Sequence, residues 1–162
     1  MFLGPIALQI ILIFLNAVFA SAEIAVISMN DNRMKHMAMG GDKRAQRLIA
    51  LTKHPAKFLA TTQVAITLAG LLGSAFAAEN FAGELARMLQ NGGVNASAQV
   101  LQSFSIFVIT FVLAYFNLVF GELVPKRMAM KNAEKLALGM SGMLRLVAKI
   151  FAPLVWFLTL ST

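Results

Sequence analysis

The chain has 162 residues, 59% of them hydrophobic, and a mean hydropathy of +0.75. A soluble domain of this length does not carry so much apolar surface, and the lack of cysteine excludes disulfides and thiolate metal sites. The formal net charge of +7 is gathered at the flanks of apolar runs. That pattern speaks for charged membrane borders and against nucleic-acid binding.

Three runs are long enough to cross a bilayer, at about 3–29, 58–78 and 100–124. The first is no cleaved signal peptide, since it lacks a basic leading region and exceeds the roughly 7–15 apolar residues of one. It contains Asn16, Ser21 and Glu23. Asn16 and Glu23, seven residues apart, share a helix face, with Ser21 off to one side. A basic stretch follows, in which Asn30 or Asp31 is a candidate cap and Gly40-Gly41 an interruption. A helix over about 42–52 sets Ala45, Leu48, Ile49 and Leu51 against Lys43, Arg44 and Arg47. This is the pattern of an amphipathic helix on a membrane surface. His36 and His54 are expected at the surface, and Met34, Met37 and Met39 as packing residues.

The second run begins after Pro55 and carries Thr61, Thr62, Gln63 and Thr67, then Gly70, Gly73 and Ser74. Small residues let membrane helices approach closely, and hydroxyls bond across them. The Gly70/Gly73/Ser74 face and the apolar face of the third run are candidate helix-contact faces, and the ones to consider should a second copy pack against the chain. A polar loop is expected over 79–99, with Asn91-Gly92-Gly93 as a turn. The third run ends in Asn117 and the string Gly121-Glu122-Leu123-Val124-Pro125-Lys126-Arg127. The last apolar stretch, 136–160, is long enough to span. Arg145 and Lys149 on one face, with Pro153 as a breaker, favour a bent amphipathic helix lying at the interface over about 132–160.

Of the 14 basic residues, seven lie between Arg33 and Lys57, six between Lys126 and Lys149, and only Arg87 elsewhere. With three spans, 13 of the 14 fall on one side. The positive-inside rule then puts the N-terminus outside and the C-terminus in the cytoplasm. The fold expected is an all-α membrane protein: three transmembrane helices plus a cytoplasmic-side amphipathic helix. There is no internal repeat, nucleophile–base pair or P-loop, so no enzymatic activity is expected.

Ionisable groups inside spans cost on the order of 2.5–3.5 kcal/mol at the helix centre and mark functional sites by default. Glu122, at the end of the third run, is such a group. Asn117 and Gly121 are four apart and stack on one face. In α-helical register Pro125 has no amide to offer the Gly121 carbonyl. Asn16, Ser21, Glu23, Gln63, Thr67, Asn117 and Glu122 thus supply hydroxyl, amide and carboxylate oxygens beside a free carbonyl, the donors a hard cation prefers. Histidine and cysteine, favoured by softer metals, are absent from the spans. The bland readings are helix–helix packing for the hydroxyls and pairing of Glu122 with Lys126 or Arg127.

The string Phe120 to Arg127 resembles the signature of the CorC/cyclin M family of magnesium transporters, whose bacterial members are often termed hemolysin-like. Leu15 to Val26 is similar to that family's first helix, and Phe58 to Leu72 to the hemolysin-like form of its second. The resemblance covers nearly the whole chain. It implies a homodimer of three-span protomers, each with a juxtamembrane helix wrapped around the bundle, in the bacterial inner (plasma) membrane. It also implies a largely dehydrated Mg2+ in each protomer and linkage of transport to Na+. The ligands it implies here are Ser21, Thr67, Asn117, Gly121 and Glu122, with Asn16, Glu23, Gln63, Pro125 and Lys126 in support. Paired cytoplasmic CBS modules and a small C-terminal domain follow in full-length members, so residues 1–162 are expected to be the membrane domain of a longer protein. This chain departs from other members in having Ile66 and Thr67 where they carry asparagines. Only Thr67 offers a ligand there. The functional expectation is secondary-active magnesium export. Its alternative is an ion-sensing membrane anchor that regulates a partner channel without transporting.

Overall fold

The computed structural model describes residues 3–161, all helices and connections. Met1, Phe2 and Thr162, part of the expected domain, lie outside the described residues. Helix α1 (Leu3–Ser28) leads to two short helices, α2 (Asp31–Met39) and α3 (Lys43–Thr52). A long helix, α4 (Pro55–Asn91), is followed by α5 (Ala98–Leu118), a π-helical turn (Val119–Leu123) and α6 (Val124–Lys131). Helix α7 (Ala133–Ser161) closes the chain. Among the described residues, four stretches are long and apolar enough to cross a membrane: α1, α4, α5 through α6, and α7 up to Leu158.

Local chemistry sets the boundaries. Asn30 caps α2 by accepting from the Arg33 amide at 3.1 Å. Gly40 ends that helix and Gly41 takes φ +91°, a conformation glycine enters without a side-chain clash. Asp42 then caps α3, accepting from the amides of Arg44 and Ala45 at 2.7 and 3.4 Å. Pro55 opens α4, where its missing amide leaves no bond unmade. Ser97 caps α5.

Three expectations need correction. The polar loop expected over 79–99 is mostly helix, since α4 runs on to Asn91 and only residues 92–97 connect it to α5. Residues Phe81, Ala82, Leu85 and Leu89 keep an inward face going at helical spacing, and all are at least partly buried. The helix stops where Gly92 caps it and Gly93 takes φ +88°. At about 1.5 Å per residue, its 37 residues exceed a hydrocarbon core of roughly 30 Å. Second, Pro153 does not end α7, which continues through it. The amide that proline lacks would have bonded to the carbonyl of Lys149, an exposed residue. Third, the third apolar run is not one α-helix but is widened at Val119–Leu123.

The main apolar cluster lies at one end of the bundle. It joins Ala22, Ala25, Val26 and Met29 of α1 and its end to Met34, Leu48, Phe58, Ala137 and Leu144. The first half of α7 therefore packs at the level of the basic helices α2 and α3. Helix α5 by contrast turns Phe107, Phe111 and Phe116 outward, and the π turn does the same with Phe120.

The Asp42 carboxyl lies below its ordinary value of 3.8, chiefly because the Arg44 backbone amide bonds to its charged form. A depressed carboxylate stabilises the fold above its unfolded pKa and loses that contribution as pH falls through the folded value. Thermal melts should show the Asp42 contribution intact above about pH 4 and fading below it. Asp42→Asn should flatten that part of the acid-side slope.

Candidate functional site

Along α1, Gln9, Asn16 and Glu23 recur every seven residues, and all three are buried. They line one inward stripe at three heights. Opposite Asn16, its Nδ2 donates to Asn117 Oδ1 of α5 at 3.2 Å. Two glycines of α4 make room for these amides. A Cβ on Gly70 would lie 3.2 Å from Asn117 Nδ2, and one on Gly73 would lie 3.3 Å from Gln9 Nε2. The Gly70 and Gly73 positions thus make room for polar side chains of the neighbouring helices.

The π-helical turn brings α5 to this pair. The Val124 amide bonds to the Val119 carbonyl, one residue further back than in an α-helix. Pro125 follows directly, five residues after Phe120 and four after Gly121, and has no amide to offer either carbonyl. Gly121 is buried beneath the two asparagines. A Cβ there would sit 2.7 Å from Asn117 Oδ1 and 3.0 Å from Asn16 Nδ2.

A cavity of about 330 Å3 opens between α1, α4 and α5, and Asn16, Gln63, Thr67, Asn117 and Glu122 all border it. Of the residues singled out from the sequence, these five come together around one space. The amide of Gln63 donates to Thr67 Oγ1 at 3.4 Å along the α4 wall. Two acceptors here, Asn16 Oδ1 and Gln9 Oε1, are buried without a hydrogen-bond partner among the described residues. Buried unpaired acceptors are rare enough to need a reason, and a cation or water in the cavity would supply one. Ser21 is half-buried on α1 and is not among the residues bordering the cavity. Gln9 was missed from the sequence, although its spacing from Asn16 repeats that of Asn16 from Glu23.

Below the cavity lies an ionic triad. Lys126 Nζ is 2.8 Å from Glu122 Oε1 and 3.2 Å from Glu23 Oε2. Glu23 is the most enclosed, with a side chain 10% exposed. The Thr62 hydroxyl lies 3.3 Å from its second oxygen. One ammonium thus ties α1 to both sides of the π turn, and the pairing expected for Glu122 is made by Lys126. Glu122 also faces the cavity, so pairing and cavity lining coexist in one residue. The described residues contain no group of three or more His, Cys, Asp or Glu side chains placed to hold a metal ion. Any cation here would be held mainly by amide, hydroxyl and carboxylate oxygens.

A helical bundle with spanning-length apolar helices around a polar cavity defines a multi-pass membrane protein. The family model described as the cyclin M transmembrane N-terminal domain matches residues 7–162, and the chain belongs to that family. Among its relatives is the UPF0053 protein sll0260 of Synechocystis, 35% identical over all of this chain and 37% of its own length. The polyamine export protein of Haemophilus influenzae is 28% identical over 90% of the chain and 33% of its own length. The UPF0053 inner membrane protein YfjD of Escherichia coli is 27% identical over 91% and 31%. The chain thus spans about a third of the length of these relatives.

Two substitutions test the geometry. Gly121→Ala should push the asparagine pair apart and lower stability by about 1–3 kcal/mol, as overpacking does. Gly83→Ala on α4, where a Cβ meets nothing within 4 Å, should be neutral or slightly stabilising. Lys126→Gln leaves Glu23 enclosed without its cation. After allowance for the partial exposure of the lysine, it should destabilise by about 1–3 kcal/mol. Glu23→Gln in the same chain should recover part of the loss, and thermal denaturation in detergent reads both effects.

Proposed function

We propose that the chain is the membrane domain of a secondary-active transporter that exports Mg2+ from the cytoplasm, with Na+ as the linked counter-ion. The observation that carries the reading is the meeting of Glu122 with Asn16, Asn117, Gln63 and Thr67 around one cavity. Magnesium demands about six oxygens at roughly 2.0–2.1 Å and sheds water reluctantly. The proposed ligands are Glu122, Asn117, Thr67, Ser21 and the Gly121 carbonyl. Ser21 lies five residues, about 7.5 Å along α1, from Asn16, so the proposal sets the ion low in the cavity, beside the carboxylate. The triad carries a net charge of −1, and a divalent ion beside it brings the local sum to +1. That is nearer balance than the ion alone, which favours entry. Lys126 would hold Glu122 in place when the cargo is absent.

In this reading α1, α4 and α5 through α6 span the bacterial inner membrane, with the N-terminus outside. Helix α7 lies at the cytoplasmic interface. Its packing beside α3, at the basic end of the bundle, favours this over a fourth crossing. The protomer is proposed to act as a homodimer, with the outward phenylalanines of α5 available to lipid or a second copy.

A second cargo has one specific observation in its favour. The ammonium of Lys126 sits between two carboxylates, so a primary ammonium fits there, and one relative is named a polyamine export protein. Proteoliposomes that take up Mg2+, read by an internal dye, but not labelled spermidine support the magnesium reading. The reverse result supports the polyamine reading. Magnesium binding without flux points instead to an ion-sensing anchor. Mg2+ should raise the melting temperature of the wild-type chain, and Glu122→Gln should abolish that rise. An unchanged rise would remove Glu122 from the site.

A further inference from the structure

A second built feature lies at the basic end of the bundle, apart from the polar cavity. Two cavities of about 440 and 290 Å3 adjoin between α3, the start of α4 and α7, sharing Ala50, Leu51 and Arg145. Their walls present Lys43, Arg47, His54, Lys57, Arg145 and Lys149, and no carboxylate. None of the five lysine and arginine side chains has an ion-pair partner among the described residues. Nearby acids are engaged elsewhere: Glu134 pairs with Arg33, and Asp42 with Arg44. The Arg47 guanidinium leans onto α7, so that a Cβ on Gly142 would lie 3.6 Å from its Nη1. Arg145 and Lys149, four apart on α7, stand on one face. Like charges focused in a low-dielectric cleft attract an anion.

The depth of the cleft narrows the choice of anion. Phe58 and Thr61 in its wall belong to the first two turns of α4, where a spanning-length stretch begins at Pro55. Phe58 and Leu51 add apolar surface among the cations. Cations beside apolar wall at the edge of a spanning-length helix match a phosphate joined to an acyl glycerol. Arginine adds fork-shaped pairing to phosphate oxygens. We propose that this cleft binds the phosphate headgroup of an anionic phospholipid and thereby clamps α3 against α7. This does not depend on which cargo the polar cavity carries.

The test uses the purified chain in detergent, with native mass spectrometry and melting curves, titrated with phosphatidylglycerol or phosphatidylcholine. Phosphatidylglycerol should bind at least tenfold tighter than phosphatidylcholine and raise the melting temperature. Raised salt should weaken the preference. The triple variant Arg47→Gln/Arg145→Gln/Lys149→Gln should lose at least tenfold in phosphatidylglycerol affinity. Lys35→Gln/Lys131→Gln/Lys135→Gln removes the same charge outside the cleft and should stay within about twofold of wild type. If the triple cleft variant does not fold, Arg145→Gln alone should weaken binding and Arg145→Lys should restore part of it. Equal binding of the two lipids, or equal loss in the control variant, overturns the proposal. So does displacement of phosphatidylglycerol by millimolar inorganic phosphate or ATP, which would mark a site for soluble anions. Because Glu122→Gln leaves the cleft intact, failure of the magnesium reading and failure of this one are separable.

Discussion

The molecule turns on one ammonium shared by two carboxylates. Lys126 stands between Glu23 of α1 and Glu122 of the π-helical turn, in a chain whose surroundings are largely hydrocarbon. An unpaired carboxylate at that depth would neutralise or force the helices apart, because desolvation of a charge is costly in a low-dielectric medium. Sharing the cation fixes the approach of α1 to the π turn and α6. It also sets the height of Asn117 against Asn16. The widened turn is what lets Glu122 face the cavity while Lys126, four residues on, reaches back to it.

Above the triad, space rather than charge is the controlling quantity. Asn16, Asn117 and Gln9 have bulky polar ends, and each meets a glycine on a neighbouring helix: Gly121, Gly70 and Gly73. Helices in lipid gain little from hydrophobic association, so close approach and interhelical hydrogen bonds hold them together. Here the small residues serve polar packing within the protomer. The cavity follows from the same arrangement, because amides set against glycines leave a polar gap that apolar side chains would fill. Two acceptors there, Asn16 Oδ1 and Gln9 Oε1, are buried without a hydrogen-bond partner among the described residues.

At the basic end of the bundle a different balance holds. Helix α7 packs its apolar residues against α1, α3 and α4 while leaving Arg145 and Lys149 exposed. Leu48 and Leu144 are both almost wholly enclosed there. This packing joins residues of α1, α2, α3, α4 and α7 in one apolar cluster, so the surface helices α2 and α3 are fixed to the bundle as part of its core. The membrane spans and the basic elements are therefore one packed unit.

The sequence by itself determined the membrane class, the three principal apolar runs, a helix cap at Asn30 or Asp31, the interruption at Gly40-Gly41 and the turn at Asn91-Gly92-Gly93. These depend on composition and short-range chemistry, which a linear chain displays. It also picked out Asn16, Gln63, Thr67, Asn117 and Glu122, because polar groups are conspicuous in an apolar run. It did not disclose that α4 continues to Asn91, since polar residues on an outward face look like loop until the inward face has a partner. Nor did it disclose the π turn, because one residue of extra winding leaves no mark in residue types. Only the tertiary structure decided that Glu23 and Glu122 share Lys126, and that Gln9 joins the asparagines. Those contacts link residues far apart in the chain, and their geometry is set by how closely the helices can approach.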